Sequence, residues 1–152
     1  MAIKYVHTNI ICSDIHLISN FYIEVFGCKQ IGVEAKMAGD WVERGTGITN
    51  AEAKAINLRL PGFETGGPVL EIFQYTETLE SDRSPKANSK GFGHLAFSTD
   101  DVQETLGVVL ENGGAKLGDL VIKEFKTGTL TYIYVTDPEA NIVEIQSWKQ
   151  RS

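Results

Sequence analysis

The chain has 152 residues, of which 14 are basic and 20 acidic, so its formal charge at pH 7 is −6 with neutral histidines. A composition of 42% hydrophobic and 22% charged residues supplies both a core and a solvated exterior for one domain. The acidic balance argues against a nucleic-acid surface, and no apolar stretch approaches the roughly 18 residues of a membrane span. We therefore expect a cytoplasmic protein whose partners include neither nucleic acid nor membrane.

The two halves of the sequence repeat each other. A shift of 87 residues places His7 on His94 and Asp14 on Asp101, and a shift of 73 residues places residues 69–72 on residues 142–145. Each half therefore opens with a histidine and closes with a glutamate. Internal repetition of this kind indicates two copies of one structural unit.

The first copy is predicted to form a strand, a helix and about three further strands. Alternating apolar residues indicate a strand over Tyr5–Cys12, and helical spacing begins at Ile15, between a capping Asp14 and a terminating Gly27. The clearest later strands are Ala55–Leu60 and Val69–Tyr75. The two cysteines, Cys12 and Cys28, lack the spacing of a zinc site or redox pair and are expected to be buried thiols.

The stretch Gly39–Lys54 is harder to interpret. It is rich in glycine and threonine but contains the apolar pair Trp41-Val42. This composition fits a loop or lid over a site, and it equally fits an ordinary surface excursion.

The second copy follows the same order. His94–Ser98 is predicted to be a strand, Asp101 caps a helix that begins at Val102, and Gly113-Gly114 ends it. Later strands are expected over Leu130–Thr136 and Ile142–Trp148. Residues 77–90 are polar and predict a linker, so we expect modules over residues 1–76 and 91–152 within a single domain.

Strand parity places the histidines and glutamates opposite the aliphatic faces of their strands. Glu71 lies between Leu70 and Ile72, and a carboxylate there is costly unless water or a partner stabilises it. One explanation is a solvated sheet face. The repeat-related recurrence favours another: His7, Glu71, His94 and Glu144 form a set of two nitrogen and two oxygen donors suited to one divalent ion, Zn, Ni, Co, Mn or Fe.

The same parity places the polar residues of the strand Ala55–Leu60 on one face, opposite its aliphatic residues. Asn57 and Arg59 alternate with Ile56 and Leu58, and Arg59 is able to bind a carboxylate or phosphate of a substrate in bidentate fashion. Aromatic residues on the strands are suited to line an apolar substrate cavity and are expected to be further substrate contacts: Phe73, Tyr75, Tyr132, Tyr134 and Trp148.

Several motifs together resemble the vicinal oxygen chelate superfamily, which includes glyoxalase I, methylmalonyl-CoA epimerase, fosfomycin-resistance proteins and extradiol dioxygenases. The resemblance covers nearly the whole chain. The motifs are His7 before Ser13-Asp14, the helix segment from Phe21-Tyr22 to Phe26-Gly27, Leu70-Glu71-Ile72, Gly93-His94-Leu95-Ala96-Phe97 before Asp100-Asp101-Val102, and residues 137–144.

The resemblance implies an α+β fold of two βαβββ modules, whose curved mixed sheets surround an open metal-binding cavity. His7, Glu71, His94 and Glu144 would be the metal ligands, supplied by one chain or by two chains of a homodimer. Two neighbouring oxygens of a small-molecule substrate would bind the metal, which stabilises an enolate. Glu144 and Glu71 would be the catalytic carboxylates that transfer the proton, as in a lyase, isomerase or epimerase.

The details of the sequence separate the branches of the superfamily. Glyoxalase I holds glutathione with an arginine and an asparagine where this chain has Ile11 and Tyr75, so lactoylglutathione lyase activity is not expected. Fosfomycin-resistance proteins use three protein ligands rather than four. The alternatives that remain are an extradiol-type ring-cleaving dioxygenase and a non-catalytic, antibiotic-binding resistance protein, although such binders generally lack the four ligands.

Overall fold

A computed structural model describes residues 1–81 and 84–151, which form two compact units, Met1–Ser81 and Asp82–Ser152. The first unit contains β1 (His7–Ile11), α1 (Ile15–Phe26), β2 (Lys29–Ala38), α2 (Asp40–Thr46), β3 (Glu52–Arg59) and β4 (Val69–Tyr75). The second contains β5 (Leu95–Ser98), α3 (Val102–Glu111), β6 (Ala115–Lys116), β7 (Val121–Glu124), β8 (Gly128–Thr136) and β9 (Ile142–Gln150). None of the described helices is both long and apolar enough to cross a membrane.

The first unit is a four-stranded sheet in the order β1-β4-β3-β2, with β1 parallel to β4 and the other neighbours antiparallel. Helix α1 packs on one face of the sheet, against β3 and β4. Asp14 caps α1 by accepting hydrogen bonds from the backbone nitrogens of His16 and Leu17, and Gly27 ends it in the left-handed conformation, φ 69°. The fully buried side chains between helix and sheet include Ile15, Ile18, Tyr22, Leu58, Leu70 and Ile72.

The second unit has a five-stranded sheet in the order β5-β9-β8-β6, with β7 also paired to β8. Helix α3 packs against β8 and β9, and Asp101 caps it by accepting a hydrogen bond from the Glu104 nitrogen at 2.9 Å. β6 and β7 pair with successive parts of β8, so together they act as one interrupted strand. The fully buried side chains are Leu106, Val109, Ile133, Val135, Val143 and Ile145.

This architecture confirms the expected α+β fold of two βαβββ modules. The two predicted helices, α1 and α3, begin directly after the predicted aspartates. Helix α1 ends at the predicted Gly27, and the C-cap of α3 is Asn112, one residue before the predicted Gly113. The cysteines are free and buried, as expected.

Two elements of the first unit differ from the sequence-based expectation. The stretch Gly39–Lys54 is not irregular throughout, because residues 40–46 form α2 and β3 already begins at Glu52. The helix is short, only Val42 in it is buried, and Gly39 provides no side-chain cap. Its sequence therefore contains few of the apolar and capping residues that predict a helix. Strand β2 was not located either, because most of its residues are exposed and a register shift between Ile31 and Ala35 interrupts its alternation.

Candidate metal centre

In the first unit, the neighbouring strands β1 and β4 bring His7 and Glu71 together. The strands are parallel, with His7 in register with Val69 and Asn9 in register with Glu71, so His7 and Glu71 share one face. The distance from His7 Nε2 to Glu71 Oε2 is 3.2 Å. The two side chains are 44% and 20% exposed, which leaves the pair accessible to a small ligand.

The second unit repeats this arrangement. His94 directly precedes β5, and Glu144 on β9 is in register with Ala96 of β5. The distance from His94 Nε2 to Glu144 Oε2 is 3.0 Å, and these side chains are 31% and 16% exposed. Each module therefore presents one nitrogen donor and one carboxylate oxygen at equivalent positions.

The opposite face of each sheet is dry, as strand parity predicts. Leu70 and Ile72 flank Glu71 and are fully buried, and so are Val143 and Ile145 on either side of Glu144. The glutamates therefore lie on the accessible face, where their charge is paired with a histidine rather than buried alone. Each glutamate is still mostly shielded from water, so this face is not simply a solvated surface.

The substrate-binding residues predicted in the first unit lie on the same face as Glu71. In the antiparallel β3–β4 pair Asn57 is directly opposite Glu71, and Arg59 is opposite Val69. Phe73 and Tyr75 follow Glu71 at two-residue spacing along β4, and their rings are 6.5 Å apart in an edge-on arrangement.

The aromatic residues predicted in the second unit likewise share the face of Glu144. Tyr134 is directly opposite Glu144 on β8, Tyr132 is opposite Gln146, and Trp148 continues the row along β9. The Tyr134 ring centroid lies 4.9 Å from that of His94. Burial raises the pKa of the Tyr134 hydroxyl, and the nearby charge of Glu144 adds to this effect, so the hydroxyl stays protonated at neutral pH.

Asn57 has a feature that sequence reasoning did not reveal. Its side-chain oxygen Oδ1 is buried and has no hydrogen-bond partner among the described residues. A buried carbonyl oxygen without a donor is destabilising by about 1–3 kcal/mol. Asn57 stands directly opposite Glu71, so this unsatisfied oxygen belongs to a residue next to the candidate ligand.

Two further residues of these faces were missed. Lys29 stands directly opposite Arg59 in the β2–β3 pair, and no sequence signal indicated it because β2 itself was not located. Gln146 lies two residues after Glu144, so the strand alternation that selected Trp148 also predicts Gln146 on this face.

The donor sets of the two modules fit a divalent metal. Nitrogen–oxygen separations of 3.2 and 3.0 Å match the edge of roughly 3 Å between neighbouring ligands whose bonds to a metal are about 2.0–2.1 Å long. Within the described residues of either unit, no third His, Cys, Asp or Glu joins the pair. Each module thus offers two ligands, fewer than the three or four protein ligands typical of zinc sites.

Comparison with protein-family models gives a match over residues 4–145 to the Glyoxalase/Bleomycin resistance protein/Dioxygenase superfamily. The chain belongs to this superfamily. Its other members include many enzymes and also binding proteins without catalytic activity, so membership leaves the reaction open.

Several solved structures share the fold. A glyoxalase family protein from Bacillus cereus superposes with a TM-score of 0.82 at 17% identity, over 97% of this chain and 95% of that one. One from Enterococcus faecalis gives 0.60 at 22% identity over 94% and 96%. An integron cassette protein from V. cholerae gives 0.54 at 24% identity over 98% of both chains. Comparison with curated proteins gives no significant match.

Proposed function

We propose that this glyoxalase-superfamily protein is a metal-dependent lyase, isomerase or epimerase that acts on a small molecule with two neighbouring oxygens. The observation that carries the proposal is the His–Glu contact that recurs in both modules, at 3.2 Å and 3.0 Å. A single strand-borne histidine–glutamate pair is an ordinary surface interaction. Its recurrence at equivalent positions of a repeated module indicates a shared role.

The four side chains His7, Glu71, His94 and Glu144 would hold one divalent ion, Zn, Ni, Co, Mn or Fe. Each module supplies two donors, and the two modules come from one chain or from both chains of a homodimer. When bound, the ion acts as a Lewis acid on the substrate oxygens and favours negative charge on them.

The carboxylates would move the proton next to the substrate carbonyl. Glu144 takes the proton from carbon and Glu71 takes part in its transfer, since both lie on the accessible face beside a histidine. The Tyr134 hydroxyl, opposite Glu144, would be a hydrogen-bond donor that orients a substrate oxygen. Phe73, Tyr75, Tyr132 and Trp148 provide apolar and aromatic contacts.

Glutathione adducts are not the expected substrates. Ile11 on β1 and Tyr75 on β4 lie on the same face of the sheet as His7 and Glu71. Neither side chain offers the cation or amide that would hold a peptide carboxylate. A substrate without the tripeptide fits these positions better.

Homodimer formation is part of the proposal. The first unit exposes apolar side chains that a second copy of the chain would cover: Val6, Ile11, Ile31 and Val33 are 60%, 46%, 39% and 84% exposed. Sedimentation at several concentrations measures this directly, and a monomer at all of them contradicts it.

The first test measures metal content after purification without chelators. We expect about one divalent ion per set of four ligands, and loss of that ion in His94→Ala, because the ion then lacks an essential donor. His16→Ala is the matched control, since His16 is exposed and contacts Glu34 instead. Stoichiometric metal in the double variant His7→Ala/His94→Ala overturns the ligand assignment.

The second test separates proton transfer from ligation at Glu144. Glu144→Gln retains some metal, because an amide oxygen still coordinates, but loses solvent deuterium uptake into an α-hydroxy or α-keto ligand by about 100-fold or more. Metal content is measured on the same sample. Equal exchange in the metal-loaded variant and the parent shows that Glu144 is not the base. Oxygen consumption with a catechol and Fe, without any exchange, favours ring cleavage instead.

A further inference from the structure

Two positive side chains face each other beside the first His–Glu pair. Lys29 on β2 and Arg59 on β3 are directly opposite in the antiparallel register, so they project from the same face of the sheet. Like charges in this position repel each other and destabilise a sheet. An anion between them removes that repulsion.

The other four Lys and Arg side chains of the first unit have partners, whereas Lys29 and Arg59 have none among the residues that the structure describes. Residues 1–81 contain six Lys and Arg side chains. Lys36, Arg44 and Lys54 lie within 4 Å of carboxylates, and Lys4 donates to the Gly66 carbonyl. Lys29 and Arg59 have no ion pair or side-chain hydrogen bond in the described part of the chain, although this unit contains ten acidic residues.

The pair borders a cleft. Lys29 and Arg59 line a space of about 290 Å³ together with the turn that follows β3, where Pro61 and the half-exposed Phe63 form an apolar wall. Arg59 is itself only partly exposed. An anionic group with an apolar attachment fits such a surface.

Arg59 connects this cleft to the candidate metal ligands, because it lies near Glu71 in the sheet although Glu71 itself does not line the cleft. Arg59 is the diagonal neighbour of Glu71 across the β3–β4 pair, a separation of about 7–8 Å between backbone positions. Asn57, with its unpartnered Oδ1, lies between them on the same face. On this face, the carboxylate of Glu71 is therefore followed by the amide of Asn57 and then by the two cations Lys29 and Arg59.

We propose that Lys29 and Arg59 bind a carboxylate or phosphate group of the substrate, at the end of the molecule away from its vicinal oxygens. This inference rests on the proposed function, which sets the position of those oxygens. The substrate is then an anionic molecule whose acid group lies roughly 7–10 Å from the chelating oxygens.

The test uses three chelating probes that differ only at the far end. Adipic acid monohydroxamate carries vicinal oxygens and a carboxylate, its monoamide replaces the carboxylate by a neutral group, and a phosphonate analogue replaces it by a phosphate-like group. Calorimetry on the zinc-loaded protein compares their dissociation constants. We expect an acid to bind about tenfold or more tightly than the amide, and the tighter of the two acids identifies the oxyanion.

Variants assign any such preference to the two cations. Lys29→Gln/Arg59→Gln is expected to bind acid and amide equally, with metal content and amide affinity unchanged. Lys36→Gln is the matched control, because it removes the same charge from β2 on the other face of the sheet. Equal binding of acid and amide by the parent, or a preference that survives in the double variant, overturns the inference.

A metal-free measurement distinguishes failure of this inference from failure of the proposed function. If none of the hydroxamates binds the zinc-loaded protein, the metal-chelate function is wrong. Metal-free protein is then titrated with inorganic phosphate, and the chemical shift of the Arg59 Nε–H group is followed by NMR. This measurement tests anion binding by Lys29 and Arg59 independently of the metal. A saturable shift that is absent in Lys29→Gln supports the site, and no shift overturns it.

Discussion

Ala140 occupies an unusual backbone position in the turn that joins β8 to β9. Its φ is +69°, in the left-handed region that favours glycine. The buried Asp137 holds the turn: its Oδ1 accepts hydrogen bonds from the backbone nitrogens of Glu139 and Asn141, and its Oδ2 accepts one from Asn141 Nδ2. These bonds keep Ala140 in its strained conformation and fix the register in which Tyr134 faces Glu144.

Replacing Ala140 by glycine is expected to stabilise the protein by about 0.5–1 kcal/mol. The left-handed strain is removed, and this gain exceeds the greater conformational entropy of glycine in the unfolded chain. Urea unfolding measures the change. Ala115→Gly, at an exposed alanine that is not in the left-handed region, is the control and is expected to destabilise. Equal effects of the two substitutions contradict the strain explanation.

Cys28 follows α1 directly and is buried, and burial raises the pKa of its thiol from 9.0 to about 11. The unfolded chain therefore loses this proton at a lower pH than the folded chain. The contribution of Cys28 to stability is complete below pH 9 and is lost as the pH rises from about 9 to about 11.

We therefore expect the parent to lose more stability than Cys28→Ala between pH 8 and pH 10.5, by on the order of 1 kcal/mol. Other groups that titrate in this range cancel when the two proteins are compared. Denaturant unfolding at both pH values provides the four free energies of unfolding. The same loss in both proteins shows that the Cys28 thiol does not ionise differently on folding.

The helices show how much of the fold the sequence predicts. Asp14 and Asp101 each precede an apolar pattern with helical spacing, and the structure begins α1 and α3 at the next residue. The repeat and the strand parity also predicted which faces carry His7, Glu71, His94 and Glu144. These features are local or periodic, so they can be read from neighbouring residues in the sequence.

The features that the sequence did not predict depend on distant residues. Lys29 faces Arg59 only because β2 pairs with β3 in one particular register. The register shift between Ile31 and Ala35 interrupts the alternation of apolar and polar residues that would have revealed β2. The isolated oxygen of Asn57 likewise depends on the tertiary structure. Composition and spacing contain no information on such contacts.

The N-caps support a prediction about whole helices. Asp14→Ala is expected to destabilise the protein by about 1 kcal/mol, because the nitrogens of His16 and Leu17 lose their acceptor. Asp14→Asn retains an acceptor oxygen and is expected to lose only a few tenths of a kcal/mol. The midpoints of urea unfolding test the difference. Similar losses in both variants indicate that the carboxylate charge, rather than capping, is what matters.

We expect metal binding to raise the free energy of unfolding of the whole molecule. Any ligand that binds only the folded chain raises the free energy of unfolding, by about 2.7 kcal/mol at a free concentration 100 times its dissociation constant. Thermal unfolding with zinc and with a chelator measures the shift. We expect the shift to disappear in His7→Ala/His94→Ala and to persist in His16→Ala. A shift that persists in the double variant shows that zinc binds elsewhere.

The position of the histidines also has a consequence for the order of folding. In each unit the histidine belongs to the first strand, or directly precedes it, and the glutamate belongs to the last strand. The antiparallel neighbours β3 and β4, and β8 and β9, are close in the chain and are expected to form early, whereas the parallel pairs β1–β4 and β5–β9 close long loops and are expected to form late. We therefore expect a partly folded module to have a glutamate without its histidine, so a metal that needs both donors would be captured only when folding is complete.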